Sequence, residues 1–189
     1  FDSFTISKGK EEFKTLPGSY DESGDVEHLT VILKEEAYGL VLELHYYIYE
    51  KCDVITRCTR LVNESDNSVR LDRIMSLQVD FSSANYDMTT FTGAWAREMG
   101  MHRIPVRSNK VVNSSYTGTS SNRANPFVML SKESTDEHAG DCYGFNLIYS
   151  GNHYEAAEVN AYGKTRFVSG INPQSFCFVI APGKDFETP

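Results

Sequence analysis

Period-two alternation of side-chain character is the feature that most constrains how this chain can fold. Between positions 38 and 49, one set of alternate residues is Leu40, Leu42, Leu44, Tyr46 and Ile48, and the other is Val41, Glu43, His45, Tyr47 and Tyr49. This pattern is typical of β-strands, because successive side chains of a strand point to opposite faces of the sheet. Helical periodicity is almost absent, and its best window, residues 154–161, also fits a strand.

Strand-like runs recur along the whole chain, and clusters of Gly, Pro, Asn and Ser separate them. The runs are residues 29–34, 38–49, 54–62, 69–81, 86–92, 102–107, 127–131, 143–150, 154–160, 165–169 and 176–181. About a dozen strands without crossover helices predict large antiparallel sheets. We therefore expect an all-β, two-sheet antiparallel sandwich with little helix. Residues 1–189 are expected to form a single domain. Residues 108–126 are rich in Asn and Ser and are expected to form a long loop.

The charge pattern argues against nucleic-acid and membrane partners. The chain has 18 Lys and Arg against 26 Asp and Glu, with a net charge of −8 and no basic cluster. Phosphate backbones are bound by clustered Lys and Arg, so no nucleic-acid interface is expected. No apolar run approaches the roughly 18 residues that span a bilayer.

Motif spacing predicts neither a metal centre nor a catalytic site within the chain. The four cysteines at 52, 58, 142 and 177 form no CxxC pair, and the five histidines show no HxH or HExxH spacing. Glycosidic hydrolysis needs a pair of carboxylates, but nothing in the spacing of the 26 acidic residues selects one. Isolated thiols favour a reducing compartment, which we expect to be the cytoplasm.

One segment stands apart because it holds the only tryptophan of the chain, Trp95, next to Gly93, Arg97 and Glu98. The residues alone leave two alternatives open for Trp95. It is either a plug in the core between sheets, or an exposed aromatic that stacks on a ligand such as a sugar.

The pattern Gly93-x-Trp95-x-Arg97-Glu98 resembles the sandwich domain of the glycoside hydrolase family 36 α-galactosidases. Other motifs follow in that family's order: Ser115-Tyr116-Thr117-Gly118-Thr119-Ser120-Ser121, Asn125-Pro126-Phe127, Tyr143-Gly144-Phe145, Tyr149-Ser150-Gly151-Asn152, Gly170-Ile171-Asn172-Pro173 and Phe186-Glu187-Thr188-Pro189. Met99 and Asn122 depart from the pattern, standing where the family often has Arg and His. The match spans roughly residues 25–189.

This resemblance implies a fold and an activity. The fold would be a β-supersandwich of the galactose mutarotase-like type. The parent protein would be a retaining α-galactosidase for terminal α-galactosides such as melibiose and raffinose, and a homo-oligomer without a cofactor. Its two catalytic aspartates would lie in a (β/α)₈ barrel following Pro189, so this chain alone would be inactive. Trp95 would be a substrate-binding residue, and residues 108–126 with the C-terminal exit would meet the barrel and be mobile without it.

Two other classes remain as alternatives. A stand-alone carbohydrate-binding module would use the aromatics of the same sandwich to stack on sugars. An aldose epimerase on a similar sandwich would need a His and a Glu that face one pocket, and no spacing in the sequence shows such a pair.

Overall fold

The structure, a computed structural model, describes residues 1–11, 16–107 and 109–189. The described residues form fifteen β-strands and one short 3₁₀ helix, Glu50–Cys52. The strands are β1 (Ser3–Lys8), β2 (Glu27–Glu35), β3 (Leu40–Tyr49), β4 (Val54–Asn63), β5 (Val69–Leu71), β6 (Leu77–Phe81), β7 (Tyr86–Ala94), β8 (Arg97–Val106), β9 (Lys110–Ser114), β10 (Phe127–Ser131), β11 (Cys142–Asn146), β12 (His153–Val159), β13 (Thr165–Ile171), β14 (Phe178–Ile180) and β15 (Asp185–Glu187). All paired strands are antiparallel, which confirms the predicted all-β class with little helix.

The chain divides into two compact units, and the first consists of Phe1–Ser76 and Pro173–Pro189. Its strands form a five-stranded sheet in the order β1-β2-β3-β4-β15 and a two-stranded sheet, β14-β5. In the five-stranded sheet the buried face of β3 carries Val41, His45 and Tyr47, while Leu42 and Leu44 on its other face are half-buried. Tyr47 packs there with Val26 and Cys58. The mixed polar and apolar face of this strand is therefore the more deeply buried one.

The second unit is Leu77–Asn172. It contains two four-stranded sheets, with the orders β11-β10-β7-β8 and β6-β13-β12-β9. Both sheets contribute to one hydrophobic cluster of Tyr86, Met88, Val106, Val111, Val128, Leu130, Ala157 and Phe167. The aromatic ring of Phe145 stacks on Phe167 with ring centroids 4.1 Å apart. Burial of this apolar surface is the main favourable contribution to the folding of the unit.

Two sequence-based expectations about strands were wrong. The run at 69–81 is not one strand, because β5 ends at Leu71 and β6 begins at Leu77, with charged Asp72 and Arg73 between them. The expected loop at 108–126 contains β9, in which Val111 and Asn113 are buried against the neighbouring strand. Residue 108 itself lies outside the described residues. That residues 1–189 make a single domain stays a prediction.

Candidate functional site

The hairpin of β7 and β8 presents Trp95 at its tip. Ala94 pairs with Arg97, so Trp95 and Ala96 form the turn between the strands. The side chain of Trp95 is 93% exposed. The alternative in which Trp95 is a core plug is therefore wrong, while its predicted role in substrate binding stays a prediction.

The backbone of this hairpin tip is strained. Two residues that are not glycine, Ala96 and Met99, have φ of 57° and lie in the left-handed region. The ladder is also irregular between Thr92 and Ala94. The Ala96 amide donates a hydrogen bond to the Glu98 carboxylate at 3.1 Å, which stabilises the turn. Strain of this kind concentrates at functional sites, where the surrounding structure holds it in place.

A loop of residues 115–126 packs against the base of this hairpin. The amide of Asn125 donates to the carbonyl of Phe91 on β7 at 3.0 Å. A Cβ added at Gly93 would lie 3.3 Å from both the carbonyl oxygen and the side-chain nitrogen of Asn122. A side chain here would require Asn122 to shift by a few tenths of an ångström, so glycine suits the position two before Trp95.

The outer part of the same loop is anchored to residues 149–152. Ser120 donates from its amide to Ser150 O at 2.8 Å and from its hydroxyl to Tyr149 O at 3.1 Å. The amide of Gly118 donates to the side-chain oxygen of Asn152 at 2.8 Å. The loop is therefore hydrogen-bonded to its own unit rather than loose, although residues 116–119 are exposed.

The C-terminal segment, which was also expected to be mobile, contributes β15 to the five-stranded sheet of the first unit. β15 pairs with β4, and the amide of Thr188 donates to Thr59 O at 2.9 Å. The Thr188 side chain is buried, and its hydroxyl oxygen accepts from the Thr59 amide at 2.9 Å.

A buried polar network lies where the loop joins the sheet of β9 and β12. The side chains of His153 and Glu155 are 0% exposed, and His153 Nδ1 donates to Glu155 Oε2 at 2.8 Å. Asn113 on β9 donates to the same carboxylate oxygen at 3.0 Å. The other ring nitrogen of His153 donates to the carbonyl of Ala124 at 2.8 Å. Since both nitrogens face acceptors, the geometry favours the doubly protonated imidazolium.

The ionisation of this pair follows from burial and from its hydrogen bonds. Burial by itself lowers the pKa of His153, but the hydrogen bond and charge of Glu155 and the bond to Ala124 O outweigh it, so that the pKa lies above its ordinary value. Burial raises the pKa of Glu155, against the opposing effects of His153 and Asn113. The network therefore holds a proton between two side chains that solvent does not reach.

Sequence reasoning missed this network. The only local signal was the spacing of His153 and Glu155, which places both on one face of a strand. Asn113 lies 42 positions from Glu155, and only the pairing of β9 with β12 brings them together. No group of three or more His, Cys, Asp or Glu side chains that could hold a metal ion occurs in the described ranges. Among the same residues, no helix is long and apolar enough to cross a membrane.

Comparison with known protein families shows to which family the chain belongs. Residues 1–181 match the model of the glycosyl hydrolase family 36 N-terminal domain. The chain belongs to this family. The resemblance inferred from the Gly93-x-Trp95-x-Arg97-Glu98 pattern is thereby confirmed.

Relatives of this family 36 domain are α-galactosidases. The chain is 40% identical over 185 residues to the α-galactosidase AgaA of Geobacillus stearothermophilus, covering 97% of this chain and 25% of that protein. It is 35% identical over 190 residues to the α-galactosidase Mel36A of Lactobacillus acidophilus, covering 100% of this chain and 26% of that protein. A crystal structure of an AgaA variant in complex with raffinose superposes with a TM-score of 0.97 at 38% identity, covering 100% of this chain and 26% of that one. The family 36 chain thus spans about a quarter of the length of the curated relatives that it matches.

Proposed function

We propose that this chain is the non-catalytic N-terminal domain of a retaining α-galactosidase that hydrolyses terminal α-galactosides of the melibiose and raffinose type. Membership of the family 36 N-terminal domain supports this, as does the naming of its relatives as α-galactosidases. The raffinose complex of an AgaA variant supports the substrate class. The two catalytic carboxylates of such an enzyme, about 5 Å apart in a retaining mechanism, would belong to a (β/α)₈ barrel outside this chain.

Trp95 is the residue that we assign to substrate binding. The single observation that carries this assignment is its 93% exposure at the tip of a hairpin. An indole offers a rigid apolar face for the C–H surface of galactose and one N–H donor for a hydroxyl. The left-handed φ of Ala96 belongs to the turn that places Trp95 at the tip of the hairpin.

The partners follow from the same assignment. The exposed residues 116–119 and the hairpin tip would face the catalytic barrel and contribute to oligomer contacts of the enzyme. The substrate would be the only small molecule bound, without a cofactor. A cytoplasmic location is proposed because the cysteines at 52, 58, 142 and 177 are all free thiols.

The test is to replace Trp95 in an α-galactosidase that contains this chain as its N-terminal domain. Trp95→Ala should raise KM for raffinose about tenfold, corresponding to about 1.4 kcal/mol of lost binding, with a smaller change in kcat. Tyr162→Ala is the matched control, because Tyr162 is an 88% exposed aromatic at another turn. An unchanged KM in Trp95→Ala would contradict the assignment.

A second measurement separates the domain from a stand-alone binding module. The isolated 189-residue chain should not turn over an aryl α-galactoside, and it should bind raffinose no better than millimolar because the rest of the sugar site is missing. Micromolar binding of galactosides by the isolated chain would favour the binding-module alternative.

A further inference from the structure

The buried network of His153, Glu155 and Asn113 ends on two consecutive carbonyl groups of the loop. His153 Nε2 donates to Ala124 O at 2.8 Å, and Asn113 Nδ2 donates to Asn125 O at 2.7 Å. Both carbonyls are thereby fixed from beneath by side chains of the β9–β12 pair. Side chains of β9 and β12 therefore help to set the position of this part of the loop.

The same stretch of loop is the part that touches the Trp95 hairpin. Asn125 donates its amide to Phe91 O on β7, and Asn122 lies against Gly93. A bridge between Ser121 and Ala124 closes the turn that connects these two contacts. A continuous path of hydrogen bonds and close packing therefore runs from Glu155 to the residue two positions before Trp95.

Stability alone gives little reason for this network. Burying an ion pair costs desolvation, and apolar side chains of similar volume often stabilise a fold equally well. One carboxylate oxygen, Glu155 Oε1, accepts no hydrogen bond from any described residue. The network does provide a defined orientation of the bonded groups, because hydrogen bonds depend on direction and apolar packing does not.

We propose that Glu155, His153 and Asn113 are positioning residues that set the orientation of the Trp95 hairpin by holding residues 122–125 against its base. Glu155 orients the His153 ring and the Asn113 amide, and these two side chains hold the two loop carbonyls. The loop then holds Phe91 and Gly93. The inference deepens the proposed function, since it assigns the geometry of the sugar-contacting indole to a buried network elsewhere in the unit.

The first test uses Trp95 as its own reporter, because it is the only tryptophan of the 189-residue chain. In Glu155→Gln and Asn113→Ala, the amplitude of fast local motion in the fluorescence anisotropy decay of Trp95 should rise about twofold, as expected for a change from a rigid to a flexible backbone. The far-ultraviolet circular dichroism spectrum should be unchanged. Thr165→Val is the matched control, because it removes a buried hydroxyl that donates to Ser83 O in the same unit without touching the loop.

A folded Glu155→Gln and a folded Asn113→Ala with the wild-type anisotropy decay would overturn the proposal. If Glu155→Gln does not fold, the anisotropy decay of Trp95 in Asn113→Ala and Gly93→Ala tests the proposal instead. The new methyl group of Gly93→Ala pushes on Asn122 from the hairpin side, so it should loosen the same contact. An unchanged Trp95 signal in both variants would overturn the proposal.

The second test is a double-mutant cycle in the longer α-galactosidase. Glu155→Gln should raise KM, and this increase should disappear when Trp95 is already alanine, because the network acts through that side chain. A full increase of KM in the Trp95→Ala background would overturn the proposal. If Trp95→Ala alone leaves KM unchanged, the proposed substrate-binding role of Trp95 fails, while the anisotropy measurement still decides whether the network positions the hairpin.

Discussion

His28 Nε2 lies 3.0 Å from His45 Nδ1 in the buried cluster of the first unit. The two rings stack with centroids 5.3 Å apart, and Tyr47 stacks on His28 at 4.2 Å. One of these two nitrogens donates and the other accepts, and protonating both rings would place two positive charges side by side. Burial lowers the pKa of His28, and the neighbouring His45 lowers it further.

This arrangement predicts that acid destabilises the first unit. The unfolded chain takes up a proton at His28 near its ordinary pKa of 6.5, while the folded chain keeps the ring neutral to lower pH. The free energy of unfolding should therefore fall as pH drops below 6.5, and His28→Gln should show a shallower fall. Urea denaturation of both proteins between pH 7.5 and about pH 5 measures the difference. Equal slopes would contradict the prediction.

The buried carboxylate of Asp87 predicts a large effect of Arg103→Ala. Arg103 donates to Asp87 at 2.9 Å and also to the carbonyls of Thr135 and Lys132. Its removal should cost roughly 2 to 3 kcal/mol, less than for an isolated buried pair because Arg107 stays nearby. The exposed ion pair of Arg166 and Asp80 is the control, and Arg166→Ala should destabilise the chain much less, because solvent screens that pair. Similar losses in both variants, measured by urea denaturation, would show that the prediction is wrong.

The left-handed backbone of Ala96 predicts that stability and binding change in opposite directions. Ala96→Gly removes a conformational penalty of about 1 to 2 kcal/mol, part of which is offset by the greater freedom of glycine in the unfolded chain. The free energy of unfolding should rise by up to about 1 kcal/mol. KM in the longer α-galactosidase should rise, because the turn that carries Trp95 becomes more flexible. A loss of stability in Ala96→Gly would count against this account of the turn.

The cysteines should separate into two reactivity classes. Burial raises the pKa of the Cys58 thiol to about 12, so almost no thiolate exists at neutral pH. Cys52, Cys142 and Cys177 are exposed. A thiol-specific disulfide reagent should therefore label these three quickly in the native chain, and Cys58 only on unfolding. Rapid labelling of Cys58 in the native chain, checked in Cys58→Ser, would be inconsistent with its burial.

Local patterns of the sequence were sufficient to predict the all-β fold class. The alternation along β3 predicted a β-strand, because a period of two describes how side chains leave an extended backbone. The same pattern did not tell which face is buried. In β3 the face with His45 and Tyr47 is the buried one, since these rings stack on His28 of the neighbouring strand and Tyr47 also packs beside Cys58.

Alternation that continues beyond the end of β5 misled the assignment of residues 69–81 as one strand. Asp72 and Arg73 interrupt residues 69–81, and the Arg70 side chain donates to Asp72 at 2.7 Å in the gap between β5 and β6. Conversely, β9 carries the polar Asn113 on its buried face and resembled a loop. The bonds of the Asn113 side chain to Glu155 and to the carbonyl of Asn125 join separate segments of the chain, so a local window does not show them.

The sequence by itself determined the all-β class, the family and the choice of Trp95 as the candidate binding residue, because these depend on residue types and on their spacing along the chain. The tertiary structure decided that Trp95 is exposed at a hairpin tip and that His153, Glu155 and Asn113 meet beneath the neighbouring loop. These contacts depend on which strands pair and in which register. Asn113 and Glu155 become neighbours only when β9 and β12 align, and no feature of either segment alone specifies that partner.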